Sequence, residues 1–487
     1  MTKEINIKEG KGTMVGICSY GAYVPLYRLT REEMGKLMGT GGAGERSVAG
    51  ADEDTLTVAV DAILDCTKGI DRGSINGLIN ASCSSPFAEK QLAAVAASAL
   101  DFNENALTVD VGASLRGGTS ALMMAADMVK AGSGKKVLVS AADCRLGWPT
   151  SPQEANMGDG AAALLLGDTD VIASIEGCYT ETSDFTDLWR PATDKFVHSW
   201  SDRFTVPEGY QPLMQKAIGN AMKKFGVQPK DITKLVYNAP DARAHGAIAG
   251  ALKFDAKTQV QDPLFNVMGN TGAAFPLMLL VAALEQAKAG DNLLVAGYGD
   301  GVDVVLLKVT DAIEKARDRH GVLGYVKSKK MLPSYLKYLR LRHLFHVEPA
   351  RYTPVTPGLA QLWRERDSMF KLHAGKCNQC GWIDFPIRRI CPQCHSKDNY
   401  IQIKLVGQKV TVYSFSADTI AVLAEVTDPP LGRAIIDFEC GARMELEMTD
   451  YGKIEDMKVG QSMEMTFRKL ERQGDVAAYG WKCKPVR

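Results

Sequence analysis

The hydrophobic pattern of the chain consists of short apolar runs separated by polar turns. Four such runs, GLIN, VLVS, KLVY and LLVA, begin at Gly77, Val137, Lys234 and Leu293. They are too short for helices and are bounded by turn residues, so the pattern predicts short buried strands. The segment from Thr119 is apolar on nearly all sides, which predicts a helix that is buried rather than amphipathic.

The same order of elements occurs twice in roughly the first 310 residues. KAGSGKKVLVSAAD starts at Lys130 and KAGDNLLVAGYGD starts at Lys288, an offset of 158 residues that Asn80 and Asn238 share. Each copy has a Gly-Thr turn that leads into an apolar helix, and each ends in an apolar strand. Two such units facing each other predict an α/β body of five layers, α/β/α/β/α. A generic α/β protein with two units alike by chance is the alternative.

Composition narrows the class of protein. The chain has 487 residues, of which 46% are hydrophobic, and this length predicts two or three globular domains. Its 57 basic and 57 acidic side chains cancel, which argues against nucleic acid or a membrane surface as a partner. No apolar run is long enough for a membrane span, and the polar start is unlike a signal peptide. Eleven cysteines without an export signal favour a cytoplasmic protein with free thiols or metal ligands.

Four of the cysteines have the spacing of a metal site. Cys377 and Cys380 form one Cys-x-x-Cys knuckle, and Cys391 and Cys394 form a second one ten residues later. Four thiolates in tetrahedral geometry suit structural zinc and leave no open position for catalysis. A redox role for one knuckle, or an iron centre of the rubredoxin type, is the alternative.

Alternating apolar and polar residues follow the knuckles. Five segments with this period predict a small β-barrel, an OB-fold: VTVYSFSAD, RAIIDFECG, RMELEMTD, SMEMTFRKL and DVAAYGWKCKPV. They lack the basic, aromatic groove that single-stranded nucleic acid requires. Ahead of the knuckles, PGLAQLWRERDSMFKLHAGKC predicts an amphipathic helix.

Three stretches of the body resemble a known family. GERSVAGADEDTLTVAVDA, RGGTSAL and GNTGAAFPL resemble segments of hydroxymethylglutaryl-CoA synthases, and the last two also resemble ketosynthase III enzymes. The resemblance covers about residues 12–345 and implies the thiolase fold. From about Thr356 the chain resembles a zinc-ribbon/OB-fold family that accompanies acyl-CoA enzymes and often, as a separate chain, bridges condensing subunits or holds the acyl-CoA.

These resemblances imply five parts in order along the chain. They are a thiolase-like N-terminal half (12–170), a thiolase-like C-terminal half (171–312), a linker that packs on the body (313–355), a helix with the zinc ribbon (356–400), and the OB-fold (401–487).

The catalytic residues that the resemblance implies are largely replaced. Leu115 stands where the family has its cysteine nucleophile, Cys83 where it has a glutamate acid/base, and Asn238 where it has a histidine. Asn270 of the GNT turn is retained. Leucine cannot form an acyl-enzyme, so ordinary synthase activity is not expected.

For several residues at or near these positions, a catalytic and a structural role are both open. Ser114 is either a displaced nucleophile or a serine that caps the helix. Cys83 is either a functional thiol or a small buried residue, and no adjacent base is visible for it. Asn238 and Asn270 could donate to a thioester oxygen or hold loops together. An oxyanion hole without a nucleophile would favour enolate or aldol chemistry.

The loops after two repeat-related strands hold further candidates. Tyr298 and Asp300 lie where thiolases have an acid/base cysteine, and related thiolase-like aldolases without the nucleophile are thought to use tyrosines for proton transfer. The repeat relates Asp143 to Asp300. Aspartates in turns are usually structural, and the same is expected of Asp143. His245 starts a predicted helix and is expected to be a surface or packing residue.

Two hypotheses on function follow. The first is an enzyme that acts on coenzyme A thioesters and makes or breaks a carbon–carbon bond, by an aldol, retro-aldol or Claisen-type reaction, with Tyr298 or Asp300 moving the proton. The second is a non-catalytic subunit that binds acyl-CoA and supports a thiolase-like partner chain. Either one implies a homodimer or a hetero-oligomer.

Overall fold

The structure, a computed structural model, describes residues 14–39, 42–345, 358–419, 429–473 and 476–487. The strands of the body are β1 (Gly16–Tyr23), β2 (Tyr27–Thr30), β3 (Glu45–Val48), β4 (Gly77–Ser82), β5 (Leu107–Gly112), β6 (Lys136–Asp143), β7 (Leu146–Gly147), β8 (Gly160–Gly167), β9 (Ala173–Thr182), β10 (Leu188–Trp189), β11 (Phe196–Ser199), β12 (Lys234–Tyr237), β13 (Asn292–Tyr298), β14 (Gly301–Val309) and β15 (Lys330–Met331). Its helices are α1 (Arg31–Met38), α2 (Thr55–Cys66), α3 (Leu92–Ala99), α4 (Gly117–Lys130), α5 (Pro152–Asn156), α6 (Asp202–Phe204), α7 (Gln211–Phe225), α8 (Ala242–Ala251), α9 (Phe275–Leu284), α10 (Gly321–Lys327) and α11 (Tyr335–Leu341).

A sheet of nine strands runs through the body in the order β12-β13-β14-β9-β1-β8-β6-β4-β5. The last five strands in this order come from the first copy of the repeat, and the first four are their counterparts from the second copy. The two copies join where β1 pairs with β9, through Gly16 with Ser174 and Ile17 with Ala173. In the second copy the counterpart of β5 is a single parallel bridge between Val260 and Leu235 of β12.

The helices complete five layers. Helices α4 and α9 lie between the two halves, because each contacts strands of both copies. Helices α2 and α3 cover the outer face of the first copy, and α7, with α8 beside it, covers that of the second. The predicted α/β/α/β/α body is therefore confirmed.

The two central helices differ in burial. Every residue of α9 is buried, whereas α4 buries one face and exposes 44% of Met124 on the other. The prediction that the helix from Thr119 is buried on all sides is therefore wrong for this face. An apolar residue on a helix does not by itself show that a neighbour covers it.

The segment after β14 packs against the body as far as the structure describes it. Helix α10 contacts β1 and α9, and Tyr338 and Leu341 of α11 are buried with Leu29 and Val48. The predicted domain boundary at residues 355 and 356, and the predicted start at residue 12, lie outside the described residues.

The C-terminal part consists of a ribbon and a barrel. Its elements are α12 (Leu359–Arg364), α13 (Arg366–Met369), β16 (His373–Cys377), β17 (Ile383–Asp384), β18 (Tyr400–Lys404), β19 (Val410–Asp418), β20 (Leu431–Phe438), β21 (Arg443–Met448), β22 (Ser462–Gln473) and β23 (Val476–Pro485). The ribbon sheet has the order β17-β16-β18, and β19-β20-β21-β23-β22 form a closed barrel. The predicted five-stranded barrel is thus present. The single helix predicted before the ribbon is instead two short ones, α12 and α13.

No helix in the ranges given above is long and apolar enough to cross a membrane.

A buried cluster of charges joins the barrel to the body. Arg468 of β22 is fully buried, and its Nη1 lies 2.9 Å from Asp61 Oδ2. Its Nη2 lies 3.1 Å from Glu53 Oε1 and 2.9 Å from Asp450 Oδ2. Lys484 Nζ lies 3.1 Å from the same oxygen of Asp61. Cations of the barrel are therefore matched to Asp61 of α2, to Glu53 just before this helix, and to Asp450 of the barrel itself.

Burial and charge act in opposite directions on the carboxylates of this cluster. Burial alone would raise the pKa of Asp61, but Lys484 and Arg468 outweigh it and hold this pKa below its usual value. At Glu53 burial prevails over the attraction of Arg468 and raises the pKa to about 7. The stability of this interface therefore depends on keeping its cations in place.

We expect Arg468→Met to destabilise the protein by about 3–5 kcal/mol, because it leaves buried carboxylates without their partner. The free energy of unfolding in urea measures this loss. Arg433→Met is the matched control on the barrel surface, where the side chain is 47% exposed and pairs with Glu445. Its cost should stay below about 1 kcal/mol. Equal and small losses in both variants would show that the cluster does not hold the interface.

Candidate active site

Several loops of the body meet at the buried carboxylate of Asp143, at the end of β6. Its Oδ1 accepts hydrogen bonds from Ser82 Oγ at 3.0 Å, Cys83 N at 2.8 Å and Ser84 Oγ at 2.7 Å. Its Oδ2 accepts from Ala273 N at 2.7 Å. The end of β4 and the GNT turn are therefore fixed to the end of β6. Asp143, predicted to be structural, has four hydrogen bonds that fit this role.

The start of α4 lies next to the turn after β13. A Cβ atom on Gly299 would lie 2.9 Å from Leu115 Cβ, so the two backbone segments are in close contact. The Ser114 hydroxyl donates to Gly299 O at 3.0 Å. The helix N-cap is Arg116 and has no side-chain cap, so the alternative that Ser114 caps the helix is not what the structure shows. Leu115, which the motif resemblance places at the position of the nucleophile, thus packs against the turn after β13.

Cys83 lies in a setting that opposes thiolate formation. Burial and the charge of Asp143 raise the pKa of its thiol, although Arg145 and Arg190 act in the opposite direction. Its backbone is fixed by the bond to Asp143 and by Arg190 Nη2, which donates to Cys83 O at 2.8 Å. The thiol is therefore protonated near neutral pH.

The two asparagines bind backbone groups of neighbouring loops. Asn238 Nδ2 donates to Tyr298 O at 3.0 Å, and its Oδ1 accepts from Tyr298 N at 2.7 Å. Asn270 Nδ2 donates to Ala239 O at 3.1 Å, and its Oδ1 accepts from Gly272 N at 2.9 Å. A side-chain amide has two N–H donors, so each asparagine retains one in addition to the bond described.

Tyr298 forms a polar pair that the sequence did not reveal. Its hydroxyl donates to Asp187 Oδ2 at 2.7 Å, and its ring packs edge-on against Tyr210. Burial and the neighbouring carboxylate of Asp187 raise the pKa of Tyr298, so the phenol stays protonated. Burial also raises the pKa of Asp187, while the hydrogen bond from Tyr298 lowers it in part.

Asp300 and His245 lie in different environments. Asp300 is exposed in the turn between β13 and β14, with a φ of 48° that aspartate tolerates better than most residues. His245 is buried in α8 and stacks on Tyr237 with ring centroids 4.1 Å apart. Burial lowers the pKa of His245 to about 4, so it is a neutral packing residue.

A cleft with about 620 Å³ of empty space, part of it open to solvent, lies beside these loops. Arg145, Asn270, Asp187 and Tyr210 line it, so Asp187 connects Tyr298 to the cleft. No sequence signal marked Asp187, because it belongs to the stretch between β9 and α7 that the repeat does not cover. Arg145 follows Asp143 by two positions, and only the fold shows that it faces the cleft.

The four knuckle cysteines come together in the ribbon. Cys377 Sγ and Cys394 Sγ are 3.6 Å apart, and so are Cys380 Sγ and Cys391 Sγ. All four sulfur atoms lie within 4.8 Å of one another. Tetrahedral bonds of about 2.3 Å to one metal ion require sulfur atoms roughly 3.8 Å apart, so the cluster can hold a metal ion.

Two family models match the body. The model of 3-oxoacyl-[acyl-carrier-protein (ACP)] synthase III matches residues 109–180, and the model of the C-terminal part of the same enzyme matches residues 222–308. The two matches include α4 and α9, the helices between the two halves.

Curated relatives cover more of the chain. Hydroxymethylglutaryl-CoA synthase of Archaeoglobus fulgidus is 31% identical over 341 residues, which are 68% of this chain and 98% of that protein. The enzyme of the same name from Pyrococcus horikoshii is 30% identical over 340 residues, 68% of this chain and 97% of that protein. The chain belongs to the hydroxymethylglutaryl-CoA synthase family. Its place in the thiolase superfamily, inferred from sequence motifs, is thereby confirmed.

Solved structures share the fold of the body. A hydroxymethylglutaryl-CoA synthase complexed with CoA superimposes with a TM-score of 0.61 at 19% identity, over 70% of this chain and 92% of that one. 3-Oxoacyl-(acyl carrier protein) synthase III from Pseudomonas aeruginosa gives a TM-score of 0.56 at 22% identity, over 61% of this chain and 98% of that one. The rest of this chain adds the ribbon and barrel to the family body.

Proposed function

We propose that this family member acts on acyl-CoA thioesters and makes or breaks a carbon–carbon bond through an enolate, without an acyl-enzyme. The 2.7 Å hydrogen bond between Tyr298 and Asp187, with Asp187 facing the cleft, is the observation that carries the proposal. Leu115 at the nucleophile position removes the acyl-transfer route, and the CoA complex of a related fold supports the thioester substrate.

Asp187 is the proposed base of the reaction. In the cleavage direction its carboxylate accepts the proton of a β-hydroxyl group on the acyl chain, and the bond between Cα and Cβ breaks. The fragment that contains Cβ leaves as a carbonyl compound, and the electron pair remains on the thioester as an enolate. Asp187 then returns its proton to Cα. The aldol direction is the reverse of these steps.

The other candidates take supporting roles in this proposal. Asn270 lines the cleft and has an N–H group that can donate to the thioester oxygen, where charge develops in the enolate. Asn238 positions Tyr298 through its backbone, and Tyr298 adjusts the pKa of Asp187. Cys83 and Asp300 remain catalytic candidates because of their positions in the family motifs. The thiol of Cys83 is protonated, and Asp300 is exposed.

A non-catalytic subunit is the second candidate function. It is favoured by Leu115, and by Cys83, whose raised pKa fits a structural residue. In that case a thiolase-like partner chain supplies the nucleophile.

We also propose that the chain forms a dimer or a hetero-oligomer. Strand β5 ends the nine-stranded sheet, and one side of it has no neighbour among the described strands. Leu107 on this strand is 53% exposed. An open, partly apolar sheet edge is a ready site for pairing with a second chain.

The C-terminal part is proposed to hold one structural zinc ion in a closed site of four thiolates, next to a barrel of the OB-fold type. Strands β21 and β23 are parallel where the barrel closes, which supports that type. None of the eleven cysteines forms a disulfide in the structure, which fits the expected cytoplasmic location.

Cleavage of a β-hydroxyacyl-CoA by the purified chain alone tests the proposal. We expect Leu115→Ala to retain activity and Asp187→Asn to lose it about 100-fold or more, since the base is removed. Asp184→Asn removes an exposed carboxylate from the same loop and is the matched control. A chain that is inert until a thiolase-like partner is added would support the subunit instead. Loss in Asp300→Asn but not in Asp187→Asn would move the role of base to Asp300.

The pH dependence of kcat/KM should report the ionisation of Asp187. The base acts when ionised, so activity rises with pH through the pKa of Asp187, which burial places above its ordinary value of 3.8. Tyr298→Phe removes a hydrogen bond that lowers this pKa, so the acid limb of the profile should move to higher pH. An unchanged limb in Tyr298→Phe would exclude Asp187 as the group that titrates.

Metal analysis of the pure protein should find about one zinc ion per chain. Cys377→Ser should lose the metal and lower the unfolding temperature, because metal binding is coupled to folding of the ribbon. Cys440→Ser changes a cysteine outside the cluster and should keep the zinc. Pure protein without zinc or iron would disprove the metal site.

A further inference from the structure

The barrel contacts three consecutive residues just before α2. The backbone N–H of Lys469 on β22 donates to Asp52 O at 2.9 Å. A guanidinium nitrogen of the charge cluster described above lies 3.1 Å from Glu53 Oε1. The hydroxyl of Tyr479 on β23 donates to Asp54 Oδ2 at 2.7 Å. The chain that enters α2 is therefore held from the barrel side at each of these positions.

Asp54 uses its two carboxylate oxygens for different contacts. Its Oδ1 accepts from the backbone N–H groups of Leu56 at 3.0 Å and Thr57 at 3.1 Å, which makes it the N-cap of α2. Its Oδ2 accepts from Tyr479 of the barrel. Because one carboxylate makes both contacts, Tyr479 fixes the start of the helix and the position of the next residue, Thr55.

Thr55 connects the start of α2 to the centre of the candidate site. Its side chain is buried, and its hydroxyl donates to Ser84 O at 2.7 Å. The hydroxyl of Ser84 donates in turn to Asp143 Oδ1 at 2.7 Å and accepts from Cys144 N at 2.9 Å. A continuous series of contacts thus leads from the barrel to the carboxylate at which the loops of the site meet.

Tyr479 also contacts the same loop directly. Its ring packs edge-on against Phe87, with ring centroids 6.4 Å apart. Phe87 belongs to the β4–α3 loop, residues 83–91, which begins with Cys83 and Ser84. A single buried residue of the barrel therefore touches both the helix start and the loop.

The β4–α3 loop has few other means of keeping its position. Residues 85, 86 and 88–91 are exposed, and the loop contains neither helix nor strand. Segments with few buried contacts open locally at a low cost in free energy. The position of this loop therefore depends on the contacts of Cys83, Ser84 and Phe87.

We propose that the barrel stabilises the geometry of the candidate active site, with Tyr479 as a positioning residue that acts on the β4–α3 loop through Asp54 and Thr55. In this role the barrel contributes to the site without touching the ligand. The inference goes beyond the proposed function, and it applies equally to an enzyme and to a non-catalytic subunit that binds acyl-CoA, because both use the same loops.

Alkylation of cysteines in the native full chain by iodoacetamide, followed by mass spectrometry of the peptides, tests this inference. Cys83 reports the opening of the loop, and Cys66, fully buried at the end of α2, reports general unfolding. Tyr479→Phe removes the hydroxyl and keeps the ring. We expect it to speed the alkylation of Cys83 about fivefold, as the loss of one typical hydrogen bond would give, and to leave Cys66 unchanged.

Two further variants assign the effect to this series of contacts. Tyr413→Phe is the matched control, because Tyr413 is 50% exposed on the barrel and lies under Arg443 of the same barrel. It should leave both rates unchanged. Thr55→Val interrupts the series within the body and should also speed the alkylation of Cys83. Combining it with Tyr479→Phe should add little, since residues that act in series are not additive.

Three results would overturn the inference. The first is an unchanged rate at Cys83 in Tyr479→Phe. The second is an equal increase at Cys66, which would show general unfolding. The third is a double variant whose effect is the product of the two single effects, which would show that Tyr479 and Thr55 act independently. None of these measurements uses an acyl-CoA, so failure of the proposed function leaves the inference standing.

Discussion

One buried carboxylate, that of Asp143, sets the geometry of the candidate site. Three segments that are far apart in the sequence meet there, and N–H and O–H groups of two of them, the end of β4 and the GNT turn, replace the water that would otherwise solvate its charge. All of these donors are neutral. The negative charge of Asp143 is therefore accommodated by hydrogen bonds, without a salt bridge among the described residues.

The fold was largely predictable because its signals are local. Strand length, the Gly-Thr turns and the offset of 158 residues each depend on neighbouring residues, and so does the spacing of the four knuckle cysteines. Asn80 and Asn238 also occupy equivalent places in the sheet, because Asn80 pairs with Ser140 of β6 and Tyr237, next to Asn238, pairs with Ala296 of β13. The repeat in the sequence was thus a repeat in the strand pairing.

The site was less predictable because its signals depend on contacts between distant residues. Asp187 and Tyr298 are 111 positions apart, and Arg468 and Asp61 are 407 positions apart. No pattern along one sequence records such pairs. The expectation that Leu115 replaces the nucleophile came from the sequence, since it needs only a motif and an amino-acid type. Only the folded structure shows which polar side chains lie together near the cleft.

The charge cluster at Arg468 has a consequence for how the two parts of the protein associate. An interface between separate chains opens on dilution, whereas one between parts of a single chain closes at an effective concentration set by the linker. The fused barrel therefore remains paired with its body, one to one, at any concentration of the protein. A body made without it would leave the carboxylates of Asp61 and Glu53 without the cations that pair with them.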